Sequence, residues 1–185
     1  FSYEKLLSPF EKDLAEPLQV FTGEKIKSNA SIRHILGEEA GRLLFVLIEN
    51  ERLKEKINRK INYHMFKRLM QSENKYNNRG VYCCGFCTVA LWRNLSAGAF
   101  YEQQERLFAA VTSLKEYRDD KGTWGKYPFY YTLLALTEIN NEPAKEEINY
   151  AKPRFENLLK RNLSKRDIYS QRRAKILQNA LDLIT

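Results

Sequence analysis

The sequence predicts an all-α fold of stacked antiparallel helical hairpins, a partial toroid or solenoid arc of α/α repeats. Three observations carry this. Apolar residues recur at helical spacing along most of the chain. No run shows convincing strand alternation, and no hairpin dipeptide such as Asn-Gly occurs. Two stretches also repeat one another. Met65, Phe66 and Leu69 fall over Leu107, Phe108 and Val111 at a spacing of 42, and Gly80 falls over Gly122 at the same spacing. Beyond the turn the spacing becomes 44, with FCTVALWRNL (86–95) over YYTLLALTEI (130–139). Units of this size bury their faces by stacking on neighbours. The predicted copies span residues 60–95, 100–139 and 143–184.

Each element has its own local reason. Ser8-Pro9-Phe10-Glu11 combines a capping residue, a first-turn proline and a glutamate three positions after the cap. A second start falls at Ser28 or Ser31. Residues 38–60 read as one long helix around Leu43, Leu44, Leu47 and Ile48. Residues 62–73 continue with Met65, Phe66, Leu69 and Met70 on one face. Asn77-Asn78-Arg79-Gly80 is a turn, and a helix follows over 82–95. Ser96-Ala97-Gly98 ends it. Residues 100–117 form the next helix, with Leu107, Phe108, Val111 and Leu114 on one side. Asp119-Asp120-Lys121-Gly122 is the second turn, and 128–139 the helix after it. The helix over 143–161 must kink or split at Pro153. Ser164, with Asp167 three positions on, opens the last helix. That helix buries Tyr169, Ile176, Leu177, Ala180, Leu181 and Ile184.

A chain of 185 residues with 43% hydrophobic content predicts one domain, 1–185, with a real core. The longest apolar run, Leu43 to Ile48, is far short of the roughly 20 residues that span a bilayer. The three cysteines cluster at Cys83, Cys84 and Cys87, a poor disulfide framework that points to a reducing, cytoplasmic setting. Cys83 and Cys87 are four apart, a spacing that puts two thiols on one helical face. A structural zinc site wants four ligands in paired knuckles, so the expectation is three small buried thiols in a helix interior and no metal.

The net charge of +8 is uneven. Residues 1–49 carry −2, residues 50–70 carry +5 and residues 150–175 carry +7. Lys160, Arg161, Lys165, Arg166, Arg172, Arg173 and Lys175 are the candidate polyanion-binding residues, with Tyr169 available to stack. The plainer alternative is a solvated helix surface.

The stretch KGTWGKYPFYYTLLAL (121–136) places a glycine turn and a tryptophan ahead of an aromatic helix start. Trp124, Tyr127, Tyr130 and Tyr131 are expected to seal the end of a helix pair with their polar tips wet. As the candidate ligand-binding set they join Asp119 and Asp120, whose simpler role is turn chemistry. The order Asp119, Asp120, Gly122, Trp124, Gly125, Tyr127, Pro128, Phe129, Tyr130 and Tyr131 is similar to the hairpin unit of α/α-toroid proteins, the terpenoid cyclases and protein prenyltransferase β subunits. The resemblance covers residues 60–140 and implies an arc of hairpins. It does not extend to the chemistry of that group. The acid motif of the cyclases and the zinc ligand set of the prenyltransferases are both missing.

No phosphate loop, nucleotide fingerprint or nucleophile elbow occurs. His64, beside Tyr63, has no orienting acid or nucleophile near it in sequence. The sequence therefore names no catalytic residue and no cofactor. It predicts a non-catalytic binding or interaction module whose partner is a protein or a second copy of the chain, and no membrane. The alternatives are a nucleic-acid-binding repeat protein using segments 50–70 and 150–175, or a divergent toroid enzyme acting on an apolar ligand.

Overall fold

A computed structural model describes residues 18–98 and 102–185, with the backbone alone at Lys54, 57–62 and His64. The predicted helix start at Ser8 and the side chain of His64 lie outside the described residues. Among the described residues the chain forms eight α-helices and no strand. The only strand-like pairing among the described residues is a single bridge between Gln19 and Lys25. The all-α prediction holds.

The contacts divide the chain into two compact units, one of Leu18 with 26–110 and one of 19–25 with 111–185. In the first, α1 is Asn29–Leu47, α2 Glu51–Tyr76 and α3 Gly85–Ser96; α4, Gln103–Thr112, begins there. Ser28 caps α1 by accepting from the Ser31 N–H. The predicted long helix over 38–60 does not form. Asn50 instead accepts from the Leu53 N–H and starts α2 afresh. An Asn that can cap competes with the helix interior, and here the cap wins. Asn77 closes α2 in the left-handed conformation.

α3 is the core of this unit and is buried along nearly its whole length. It packs chiefly on α1. Trp92 is fully buried and donates from Nε1 to the Gly80 carbonyl at 2.9 Å. Gly80 sits at φ +71, and a Cβ there would meet the Arg106 carbonyl oxygen at 2.7 Å. Only glycine fits that turn. The Gly80 N–H donates to buried Glu73, which also pairs with buried Arg106 at 3.1 Å.

In the second unit α5 is Phe129–Ile139, α6 Glu142–Ala151, α7 Phe155–Leu163 and α8 Ile168–Asp182. α5 packs on α6 and α8, and α7 on α8. The predicted helix over 143–161 splits at Pro153, through a short 3-10 turn over Lys152–Arg154. The last helix starts at Asp167 rather than Ser164, because the Asp167 carboxylate accepts from the Ser170 N–H at 2.9 Å. Of the six residues predicted to be buried there, Ile176, Leu177 and Ala180 are buried, while Tyr169, Leu181 and Ile184 are half-buried.

Candidate functional site

Ser31 and His34 lie on α1, about one helical turn apart, on the side that meets α3. The α3 side of that contact begins with Cys83, Cys84 and, inside the first turn, Cys87. Cys84 is the N-cap of α3, and its sulfur accepts from the Cys87 N–H at 3.5 Å. Its Sγ also lies 3.3 Å from the Cys87 Sγ and 3.5 Å from the Ser31 hydroxyl. The first turn of α1 and the first turn of α3 thus both face this sulfur. Helix N-termini favour negative charge, and a thiol so placed loses its proton early. The Cys84 thiol is held down to about 5, first by its bond with the Cys87 thiol, then by the Cys87 N–H and the Ser31 hydroxyl. The same bond, with burial, pushes the Cys87 thiol up. Burial first, and the Cys84 charge second, raise Cys83 as well.

The three thiols are therefore not the buried set expected from sequence. Cys83 is exposed, Cys84 half-buried and only Cys87 fully buried. Cys83 also precedes α3, so it shares no helical face with Cys87. The pair that matters is Cys84 and Cys87, separated by Gly85 and Phe86. The Cys-x-x-Cys spacing at a helix start was the available signal.

His34 completes the cluster. Its Nδ1 lies 3.6 Å from the Cys83 Sγ, and its Nε2 accepts from the Arg68 guanidinium. Arg68 has only donors, so the imidazole proton sits on Nδ1, facing the thiol. Burial lowers the His34 pKa, which keeps the ring neutral. The donor atoms of His34, Cys83 and Cys87 lie within 4.8 Å of one another. A metal ion would bind here only by displacing the protons these ligands carry, and it would find three ligands where a structural zinc site uses four.

Beneath the cluster, Glu38 on α1 is 3% exposed and accepts from the Asn94 amide at 2.8 Å. Burial pushes its carboxyl up to about 7. Its neighbour Glu39 pairs with Arg93.

The residues singled out in the aromatic stretch have different fates. Trp124 and Tyr131 are fully buried, and Tyr127 is buried. Their tips are not wet: the Trp124 Nε1–H donates at 2.8 Å to Glu147, itself fully buried, which also receives Arg118 at 2.9 and 3.1 Å. Burying a carboxylate requires partners of this kind. Tyr130 is half-buried, and its hydroxyl accepts from Asn162 at 2.9 Å. Asp119 accepts from the N–H groups of Lys121 and Thr123, as a turn aspartate does, and also from the Thr123 hydroxyl. Those bonds, the hydroxyl first, hold its carboxyl down to about 2. Asp120 is exposed at φ +57, a left-handed position.

The basic set also divides. Lys160, Arg161, Lys165, Arg166 and Lys175 are exposed. Arg172 and Arg173 instead hold the 19–25 loop, donating to the carbonyls of Phe21 at 3.0 Å and Thr22 at 2.7 Å. The Tyr169 ring lies against Gly23, so its face is already occupied. Compared with protein families, with curated proteins and with solved structures, the chain matches none.

Proposed function

We propose that this protein is a helical module whose N-terminal unit performs thiol–disulfide chemistry at Cys84 and Cys87. The observation that carries it is a half-buried sulfur at the cap of α3, 3.3 Å from a second, buried sulfur. A disulfide needs about 2.05 Å between sulfurs, within reach of a small side-chain rotation.

The reaction balances without a cofactor. The Cys84 thiolate attacks one sulfur of a partner disulfide, forming a mixed disulfide and expelling the other sulfur as a thiolate. Cys87 then gives up its proton and attacks the Cys84 sulfur. The second partner sulfur leaves, and a Cys84–Cys87 disulfide remains. Two electrons pass to the partner, which ends as two thiols. The reverse sequence makes the chain an oxidant. Cys83 and His34 stand at the exposed side of the pair, where an incoming sulfur arrives.

The test is equilibration of the intact chain in glutathione buffers of increasing oxidation, read by peptide mass. The reading expects a bond joining Cys84 to Cys87, reversible on reduction and absent in Cys84→Ser. It fails if both thiols stay free under oxidising buffer, or if the reduced chain takes up zinc stoichiometrically through the three thiols and His34. The second result would make the cluster a metal site.

The helical repeat belongs to the same proposal. Gly80 and Gly122, one repeat apart, both adopt left-handed φ, at +71 and +70. Equivalent turns at equivalent positions support hairpin copies, as the toroid resemblance implies. The buried Trp124 and Tyr131 favour a structural role for the aromatic turn over a ligand mouth.

A further inference from the structure

The C-terminal unit holds three exposed large apolar side chains among its described residues: Leu163 at 68%, Ile168 at 53% and Phe21 at 49% exposure. They are not scattered. Leu163 ends α7 and Ile168 begins α8, so the two flank one short turn. Arg172 follows Ile168 by one helical turn on the same face. Its guanidinium lies 4.2 Å from the centre of the Phe21 ring and bonds the Phe21 carbonyl, which brings Phe21 beside that face. Lys165 and Arg166 occupy the turn itself, and Lys160 and Arg161 lie in the last turn of α7. The only acid in the turn, Asp167, is spent on the cap of α8.

Exposed aliphatic residues interleaved with four exposed cations, of which only Lys165 faces the Asp167 carboxylate, match a surface that is negative outside and apolar just beneath. An anionic lipid headgroup layer is such a surface. A phosphate backbone offers only the first property. The groups best suited to nucleic acid, Tyr169, Arg172 and Arg173, are already engaged with the 19–25 loop. We propose that the α7–α8 turn and the Phe21 tip dock this unit peripherally on anionic lipid, with Leu163, Ile168 and Phe21 at headgroup depth and Lys165 and Arg166 on the phosphates. No helix among the described residues is long and apolar enough to cross a membrane, so the contact is to the surface.

The experiment is co-sedimentation of the full chain with vesicles of phosphatidylcholine alone or with about 30% phosphatidylserine, an anionic surface that favours basic segments. Binding is expected only with phosphatidylserine. Lys165→Ala with Arg166→Ala should weaken it about 30-fold, from the usual contribution of a basic side chain near such a surface. Leu163→Ser with Ile168→Ser should weaken it too, while leaving binding to duplex DNA unchanged. All four positions are exposed, and circular dichroism checks that the fold survives. No difference between the two vesicle types overturns the proposal. So does vesicle binding that ignores the serine pair, or DNA binding tighter than lipid binding, which would leave a plain polyanion surface. This site shares no residue with the thiol pair, so either proposal stands or falls alone.

Discussion

The heads of α3 and α5 lie 44 residues apart, the spacing of the proposed repeat, which sets Cys84 over Pro128 and Cys87 over Tyr131. Both must satisfy first-turn N–H groups that have no partner inside the helix. They do so by different means. At α3 the acceptor is the chain's own Cys84 sulfur, one residue before the helix. Pro128 offers no such atom to α5, so Glu24 supplies it from far away in sequence, accepting from the Tyr130 and Tyr131 N–H groups at 3.1 and 2.8 Å. Aromatic rings then close over the second head, with Trp124 stacked on Phe129 at 5.8 Å. The first stays partly open, with Cys83 exposed beside it. The two caps also titrate in opposite directions: burial raises the Glu24 carboxyl despite its bonds to the α5 head, while the bond to Cys87 lowers the Cys84 thiol.

The strongest way to break this contrast is Trp124→Ala. If the α5 head is core, the substitution leaves a cavity and removes a hydrogen bond from buried Glu147. The expected loss is about 3–5 kcal/mol, read by urea unfolding. A loss below about 1 kcal/mol, the range of ordinary surface changes, would mean that the head is open after all.

The two units should also differ in their response to pH. Glu38 titrates near 7 in the folded state against an ordinary 4.5. Folding therefore takes up its proton, and its contribution is fully present below about pH 4.5 and lost as pH rises through about 7. Asp119 behaves oppositely. Its folded value of about 2 lies below the ordinary 3.8, so its contribution holds above about pH 4 and is lost as pH falls towards 2. Glu38→Gln, which keeps an acceptor for Asn94, should flatten the first dependence and stabilise the chain at pH 8 by up to about 3 kcal/mol. Unfolding midpoints of the variant and the parent at pH 5 and pH 8 decide it. Because Cys84, held near 5, acts in the opposite direction over the same range, the difference between parent and variant is the readout, and a variant that gains nothing over the parent between pH 5 and pH 8 would contradict the assignment.

The difference between the heads was only half legible in sequence. Helix class, the Gly80 and Gly122 turns, the Asp119 turn and the Pro153 split all rest on neighbouring residues, and each could be read locally. So could the Asn50 cap and the Cys84–Cys87 spacing, although the apolar run across 38–60 and the Cys83–Cys87 spacing drew attention away from them. His34 beside Cys83 and Glu24 at α5 could not be read this way. They join residues 49 and 106 positions apart, and no period in the chain connects them. Buried Glu38, Glu73 and Glu147 were equally hidden. A glutamate on a helix looks solvated until its partner helix is known.

Glu24→Ala sharpens the comparison from the closed side. The α5 head would lose both of its side-chain acceptors for Tyr130 and Tyr131. The cost should be that of a lost helix cap, about 1–2 kcal/mol. Exchange of the Tyr130 and Tyr131 amide hydrogens should quicken while those of α3 hold. Unchanged exchange at Tyr130 and Tyr131 would show that Glu24 is not the cap.

Cys84→Ser should have the smallest effect on stability. Serine is among the best capping residues, so the Cys87 N–H keeps an acceptor, and at about pH 4, where the Cys84 thiolate contributes nothing, the fold should lose less than about 0.5 kcal/mol. The chemistry should change most. With Cys84 titrating near 5, the parent should react with iodoacetamide at pH 6, where an ordinary thiol of pKa about 8.5 is almost wholly protonated. The variant should lose that acid-side reaction and keep only the slow alkaline reactions of Cys83 and Cys87. If Cys84→Ser reacts at pH 6 as fast as the parent, the nucleophile is another thiol and the cap confers nothing. If it instead unfolds, Cys84 is as structural as the aromatic head of α5, and the contrast between the two helix starts disappears.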